Sequence, residues 1–340
     1  MRFGPVPVAE AAGAIAAHGI KLPGLVVRKG SAITLEQAAA LAAHRQLSVV
    51  AVTLDPGDVG EDEAAFRLAR ASAGNAVRVE DPFTGRANLF AEAAGVLVLD
   101  AARIDRINAV DESVTLATLP AYKPVVVGEM IGTVKIIPYA VGGAILDRAI
   151  AVSGGDGPIL AVAPYRVAKV AAISTLLPGL KPSVVDKTIA ALAARLAPAG
   201  AAVVARPSCP HDATALTAEL RQAAESEAEL IVVFGASAIA DRRDVIPAAI
   251  EAAGGEIEHF GMPVDPGNLL LVGRIGGKPV IGAPGCARSP KENGFDWILG
   301  RLLADVPVTR ADITRLGVGG LLMEIVSRGQ PRAGGESEEE

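Results

Sequence analysis

Four short segments carry the residue types that could hold a charged, ring-bearing ligand. They are Ser174-Thr175-Leu176-Leu177-Pro178-Gly179, Arg206-Pro207-Ser208-Cys209-Pro210-His211-Asp212, the run 235–244 and the run 283–291. Gly235, Ala236 and Gly285 are small enough for backbone N–H groups to approach an anion closely. Arg288, Ser289 and Lys291 follow Pro284-Gly285. Ser289 or Pro290 is predicted to open a helix, and a helix N-terminus favours phosphate. Asp212, Asp241 and Asp244 offer carboxylates to ring N–H groups or to Mg²⁺. Taken singly, each feature has an ordinary reading. Gly-small-Ser after a strand is a turn, Asp212 is a helix N-cap, and Arg288 and Lys291 are solvated charges. Four such loops on one edge favour a ligand site without naming the ligand.

The surrounding pattern predicts how these loops meet. The run 167–173 reads as a buried strand, and 182–196 as a helix stopped by Pro198-Ala199-Gly200. The run 201–205 is a second strand, followed by a helix from Asp212 to about Glu225. A third strand over 230–234 precedes a helix over 243–253, closed by Gly254-Gly255. The runs 269–272 and 279–281 form a hairpin around Gly276-Gly277, and a last helix runs from Ser289 or Pro290 to Leu303. Strands separated by helices of this length predict an α/β domain with a doubly wound, mainly parallel sheet. Ligands of such sheets sit beyond the carboxyl ends of the strands, where all four loops should open.

The first half is less regular. Helices are predicted over 8–18, 34–45 and 61–73, and β-like runs over 25–28, 49–54, 96–99, 114–116, 125–127 and 134–137. This reads as α+β, with room for two subdomains. Ser153-Gly154-Gly155-Asp156-Gly157-Pro158 is the strongest linker signal. The expected division is 1–155, 160–330, and a disordered acidic tail over 331–340.

Composition narrows the function. The chain has 340 residues and a formal net charge of −6. Four Glu in the last six residues account for much of that charge, leaving 34 acids against 32 bases. A near-neutral body argues against bulk binding of nucleic acid or an anionic membrane. Cys209 and Cys286 stand far apart, outside any CxxC, as in a reduced cytoplasmic protein. The chain opens without a secretory signal pattern, and the uncharged run 230–240 is too short to span a bilayer. His18, His44, His211 and His259 show no metal-ligand spacing. Cys286, in a turn before a helix, reads as a small packed side chain or as a thiol of lowered pKa.

On these residues the second half resembles the molybdopterin-binding domain shared by molybdopterin adenylyltransferases and molybdopterin molybdotransferases. Arg243-Asp244-Val245-Ile246-Pro247, after Gly235-Ala236-Ser237, is similar to the adenylyltransferase run Gly-Gly-Thr-Gly then Arg-Asp-Val-Thr-Pro. Pro284-Gly285 resembles the family's Leu-Pro-Gly-Asn-Pro loop. Val264-Asp265-Pro266-Gly267-Asn268 resembles a Met-x-Pro-Gly-Lys stretch, and His211-Asp212 stands where the family has an acidic pair. The likeness covers about 167–303. In the first half, 8–22 followed by Pro23 is similar to the opening helix of molybdotransferases, and 25–30 with 35–41 to their basic-Gly-helix segment.

The resemblance implies a protein of molybdenum-cofactor biosynthesis that binds molybdopterin or its adenylylated form. The backbone at Gly235, Ala236 and Ser237, with Ser289 and Lys291, would hold the phosphate. Asp212 or Asp244 would accept from the pterin, and Ser174, Thr175, Pro284, Gly285 and Arg288 would complete the binding loops. Asp241 or Asp244 would hold Mg²⁺ as catalytic carboxylates during molybdate insertion. The resemblance also implies a homodimer, with Arg28 or Lys29 contributing across it. Departures favour a different role, a non-catalytic carrier that hands the cofactor to a nucleotidyltransferase or apoenzyme partner. Leu176-Leu177-Pro178 replaces Gly-Asp-Glu, Cys286 replaces Asn, and the roughly 37 residues after Leu303 leave no room for the molybdotransferase C-terminal β-domain.

Overall fold

The computed structural model describes residues 1–154, 157–264 and 267–322. The chain divides into two compact units, Met1–Ala163 and Pro164–Glu340. Gly155 and Asp156 of the expected linker, Asp265 and Pro266 of the 264–268 resemblance, and the expected acidic tail lie outside the described residues.

The first unit is built from antiparallel sheets and helices. Its largest sheet orders Val114–Thr118, Met130–Ile136, Arg86–Ala91 and Val77–Val79. The helix Glu61–Ser72 covers it, burying Ala64, Ala65 and Leu68 against Leu89, Val134 and Ile136. Three acids in its first turn complement the helix dipole. A second helix, Leu35–Ala43, starts with a capping box in which Thr34 and Gln37 exchange hydrogen bonds.

One expectation for this unit fails. The helix predicted over 8–18 is a short 3-10 turn, Val8–Glu10, followed by the strand Ile15–Ala16. Ile20–Leu22 is also a strand, so 8–22 is not an opening helix. Gly13 sits at φ +85°, outside the helical region. Ile15 and Ala16 gain more by pairing with Val52 and Ala51 in a ladder than the Ala-rich helix propensity offers. The helices Ala101–Asn108 and Gly143–Ser153 escaped the sequence reading.

The second unit carries the doubly wound domain. Its strands are β1 (Lys169–Leu176), β2 (Ala202–Ala205), β3 (Ser208–Pro210), β4 (Leu230–Phe234), β5 (Glu256–Met262), β6 (Asn268–Ile275) and β7 (Lys278–Ala283). Its main helices are α1 (Pro182–Leu196), α2 (Ala213–Glu225), α3 (Val245–Ala252) and α4 (Gly294–Leu303). The sheet order is β2-β1-β4-β7-β6-β5, with β3 also paired to β1. Pairing is parallel from β2 and β3 through β7, and antiparallel for β6 and β5.

Both faces of this sheet are covered, which is why β4 reads as an unbroken apolar run. Val170, Ala172, Val232 and Phe234 pack with Ile189 and Leu192 of α1 and Phe295 and Ile298 of α4. The alternate residues Ala171, Ile173, Ile231 and Val233 pack with Leu216 and Leu220 of α2 and Ile246 and Ile250 of α3. The chain leaves β1 through α1 toward β2, then returns through α2 on the other face to β4. The gap between the carboxyl ends of β1 and β4 is therefore the topological switch point, the usual ligand crevice of such folds.

Candidate functional site at the carboxyl edge of the parallel strands

Thr175, near the end of β1, pins this crevice. It is 1% exposed. Its Oγ1 accepts the Ala236 amide hydrogen at 2.8 Å and lies 2.8 Å from His211 Nδ1. The His211 amide donates to Leu176 O at 2.9 Å. One buried hydroxyl thus ties the loop after β3 and the loop after β4 to the end of β1. The Ala236 amide is committed to Thr175 and is not open to a phosphate, contrary to expectation. The Ser237 amide has no hydrogen bond among the described residues.

Gly235 is required by close approach. A Cβ there would stand 2.6 Å from Ser237 O and 2.9 Å from Ile246 Cδ1, so the loop folds back on itself only with glycine. Arg288, from the loop after β7, donates from Nη2 to Gly235 O at 2.6 Å. Arg288, Thr175, Ser174, Val184, Thr188 and Phe234 line one small cavity under the crevice. Ser174 is buried, and its hydroxyl makes no hydrogen bond among the described residues. A wider cleft of about 230 Å³ opens beside it, lined by Leu176, Leu180, Val185, Asp186 and Arg206 among others.

The carboxylates have structural duties. Asp212 caps α2, accepting from the Ala215 amide at 3.0 Å. Asp244 caps α3, with Oδ1 accepting from Val245 N at 2.8 Å and Oδ2 from Ala240 N at 3.1 Å. Asp241 is exposed and accepts from both Arg243 Nε, at 2.7 Å, and the Arg243 amide. The Arg243 guanidinium holds the Asp241 carboxyl below the usual carboxylate range. Among the described residues no group of three or more His, Cys, Asp or Glu is placed to hold a metal ion.

The loop after β7 corrects another expectation. Ser289 and Lys291 do not open a helix. Gly285–Arg288 is a 3-10 turn, and α4 begins at Gly294. Asn293 caps it in a box with Asp296, and two cap bonds at that position outcompete Ser289 or Pro290 as the start. Arg195 of α1 fixes the loop from below. Its side chain is 9% exposed. It donates to Ala287 O at 2.9 Å, Ser289 O at 2.6 Å and Lys291 O at 3.3 Å. Pro284 is buried, while Gly285 and Lys291 are exposed. Cys286 is held between two buried asparagines, with Sγ 3.4 Å from Asn268 Nδ2 and 3.3 Å from Asn293 Oδ1. The other cysteine, Cys209, is buried on β3, and burial pushes its thiol pKa up.

Ser174, Thr175, Asp212, Gly235, Ala236, Ser237, Pro284, Gly285, Arg288, Ser289 and Lys291 therefore all lie on loops or strand ends at one sheet edge. Direct contacts join Thr175 to Ala236 and Arg288 to Gly235. The Lys291 amide donates to Ser289 Oγ at 3.3 Å within its own loop, and among the described residues no hydrogen bond draws Asp241 or Ser237 to the others. His211 and Arg195 were missed as site residues. His211 was legible only as the neighbour of an N-cap, and Arg195 only as the last turn of a helix.

A doubly wound α/β domain with its crevice at this switch point is a ligand-binding class of domain. Residues 170–304, from β1 through α4, match the family model described as a probable molybdopterin binding domain. The second unit thus carries a domain of that family, over about two fifths of the chain. Among solved structures, one described as "Crystal structure of Molybdenum cofactor biosynthesis protein B" is 16% identical with a TM-score of 0.31. It covers 41% of this chain and 95% of its own length. No curated protein matches the chain. Among the described residues no helix is long and apolar enough to cross a membrane.

Proposed function

We propose that the second unit binds molybdopterin, or its adenylylated form, in the crevice between β1 and β4, and that the protein takes part in molybdenum-cofactor biosynthesis. The observation that carries this reading is the Thr175 pin. It holds two loops against the strand ends within the span of the family match, and leaves donors such as the Ser237 amide and the Ser174 hydroxyl without a partner among the described residues. These donors fit a ligand rich in acceptors.

In this reading Ser237, with Lys291, holds the terminal phosphate. Arg288 exchanges Gly235 O for a ligand oxygen. Asp212 accepts from the pterin amine, and Arg195 sets the position of the loop that carries Arg288 and Lys291. The fold contributes placement rather than reactive groups. Low aromatic content fits this, since hydrogen-bonding groups rather than an aromatic cage recognise the ring. Any Mg²⁺ would arrive on the ligand's phosphate and take Asp241 or Asp244 as an added carboxylate, because those side chains form no cation cage alone.

A carrier without turnover is the second reading. It is favoured by the duties of the two carboxylates, since Asp244 spends both oxygens on capping and Asp241 pairs with Arg243. Such a carrier would act as a homodimer and pass the cofactor to a nucleotidyltransferase or an apoenzyme. The exposed Arg28 and Lys29 are the candidates for a contribution across the dimer.

The test starts with protein purified from molybdate-replete cells. Pterin fluorescence after oxidation, at one equivalent per chain, is the expected result. Absence of pterin together with a retained nucleotide would point to an unrelated α/β enzyme. Molybdate insertion with adenylylated molybdopterin then separates the two readings, since turnover marks an enzyme and stoichiometric binding marks a carrier.

A further inference from the structure

The Thr175 hydroxyl has one hydrogen to donate and two lone pairs to offer. The Ala236 amide takes one lone pair. The remaining partner among the described residues is His211 Nδ1. If the ring carried its hydrogen on Nδ1, it would donate into Oγ1 and strand the buried Thr175 hydrogen without an acceptor. The satisfied arrangement sends the Thr175 O–H to Nδ1 and leaves the ring hydrogen on Nε2. That Nε2–H has no protein partner among the described residues. The ring is half-buried, at the end of β3 beside the switch-point crevice.

The next residue supplies the opposite polarity. Asp212 is exposed, and its Oδ1 is spent on the Ala215 amide. Its Oδ2 has no partner among the described residues. A donor and an acceptor therefore stand on consecutive residues at the carboxyl edge of the sheet, His211 held against Thr175 and Asp212 by the start of α2. A phosphate would meet the Asp212 charge unfavourably. A lactam edge, with a carbonyl beside an N–H, is complementary to both.

We propose that His211 reads the ligand's ring: its Nε2–H, oriented by Thr175, donates to a carbonyl-type acceptor of a pterin-like heterocycle rather than to a phosphate. Thr175 is the positioning residue for that donor. The proposal rests on the molybdopterin reading and adds the residue that recognises the ring.

The tautomer is tested first, on the full chain without ligand, by ¹⁵N NMR of the histidine rings. An unprotonated Nδ1 and a protonated Nε2 at His211 are expected, and a protonated Nδ1 overturns the proposal. Binding is tested by titrating the full chain with neopterin, a fluorescent pterin without phosphate, and separately with inorganic phosphate. His211→Gln keeps an N–H near the Nε2 position and should bind neopterin about as tightly as wild type. His211→Asn reaches only the Nδ1 position and should bind about tenfold more weakly. Phosphate affinity should be the same in all three. Equal neopterin binding by H211N and wild type, or loss of phosphate binding in its place, overturns the proposal and leaves the molybdopterin reading standing. Absence of neopterin binding by wild type removes the ring site altogether, and the proposal with it. Should H211N melt far below wild type, Thr175→Ser and Thr175→Val decide. Neopterin affinity retained in T175S and weakened in T175V is expected, and equal affinity in the two overturns the proposal.

Discussion

Arg195 donates from Nε to Asp296 Oδ1 at 2.6 Å, joining the last turn of α1 to the first turn of α4. The same guanidinium holds the carbonyls of Ala287 and Ser289, so one buried side chain sets both a helix and a site loop. Arg195→Met should cost about 3 kcal/mol in denaturant unfolding, since it removes one partner of a largely buried pair. Arg195→Lys should restore the charge but not the fork, because a single ammonium cannot reproduce the planar set of donors. Hydrogen exchange at the Ser289 amide, which donates to Cys286 O at 3.0 Å, should rise in both variants. Unchanged exchange would show that the loop holds itself.

Gly235→Ala tests the fold-back of the loop after β4. The new methyl would meet Ser237 O and Ile246 Cδ1 well inside contact distance. A backbone shift is forced, with a stability loss of about 2 kcal/mol. Pterin retained on purification should fall with it. Gly285→Ala is the control, because a Cβ at Gly285 meets nothing within 4 Å, and it should melt close to wild type.

Asp244 separates capping from ligand binding. Asp244→Ala removes the acceptor for both Val245 N and Ala240 N, at a cost of about 1 kcal/mol, and is expected to lose the bound pterin. Asp244→Asn retains one oxygen acceptor and should recover most of the stability. Wild-type pterin content in D244A would remove Asp244 from the site.

A pH effect should come from Arg301 and Asp312, which lie 3.2 Å apart with Arg301 buried. Burial works to raise the Asp312 pKa, but hydrogen bonds from Thr309 and the Arg301 charge outweigh it and hold the carboxyl below its ordinary range. A carboxyl with a lowered folded-state pKa contributes stability above its unfolded-state pKa, and that contribution is lost as pH falls through the folded value. Unfolding free energy should therefore drop in acid below the ordinary carboxylate range. Asp312→Asn should flatten that drop and cost about 2 kcal/mol at neutral pH, discounted for the partial exposure of Asp312. An equally steep acid limb in D312N would assign the effect to other carboxylates.

Much of the second unit was legible in the sequence because its signals are local. Pro182 and the Pro198-Ala199-Gly200 stop bracket α1, Asp212 and Asp244 each cap a helix, and the apolar run of β4 has the length of a two-sided buried strand. Strand-helix alternation then led to the doubly wound sheet and to its carboxyl edge as the place for a ligand. Local signals misled where they competed with ladder formation. The Ala-rich segment after Val8 became a turn and a strand because Ala51 and Val52, far along the chain, offered backbone partners.

What only the tertiary structure decided are the pairings between distant residues. Thr175 meets His211 and Ala236 across 36 and 61 positions, and Arg195 reaches Ser289 across 94. Hydrogen bonds of this kind have no period and no fixed spacing, so neither residue type nor sequence distance announces them. Two expected functional groups changed meaning as a result. The Ala236 amide became a structural donor, and His211, read as the neighbour of a cap, became a ring with one nitrogen held by Thr175 and the other without a partner among the described residues. Side-chain chemistry and helix boundaries follow from neighbours along the chain, whereas the direction in which a hydroxyl or an imidazole presents its hydrogen follows from what the folded sheet brings against it.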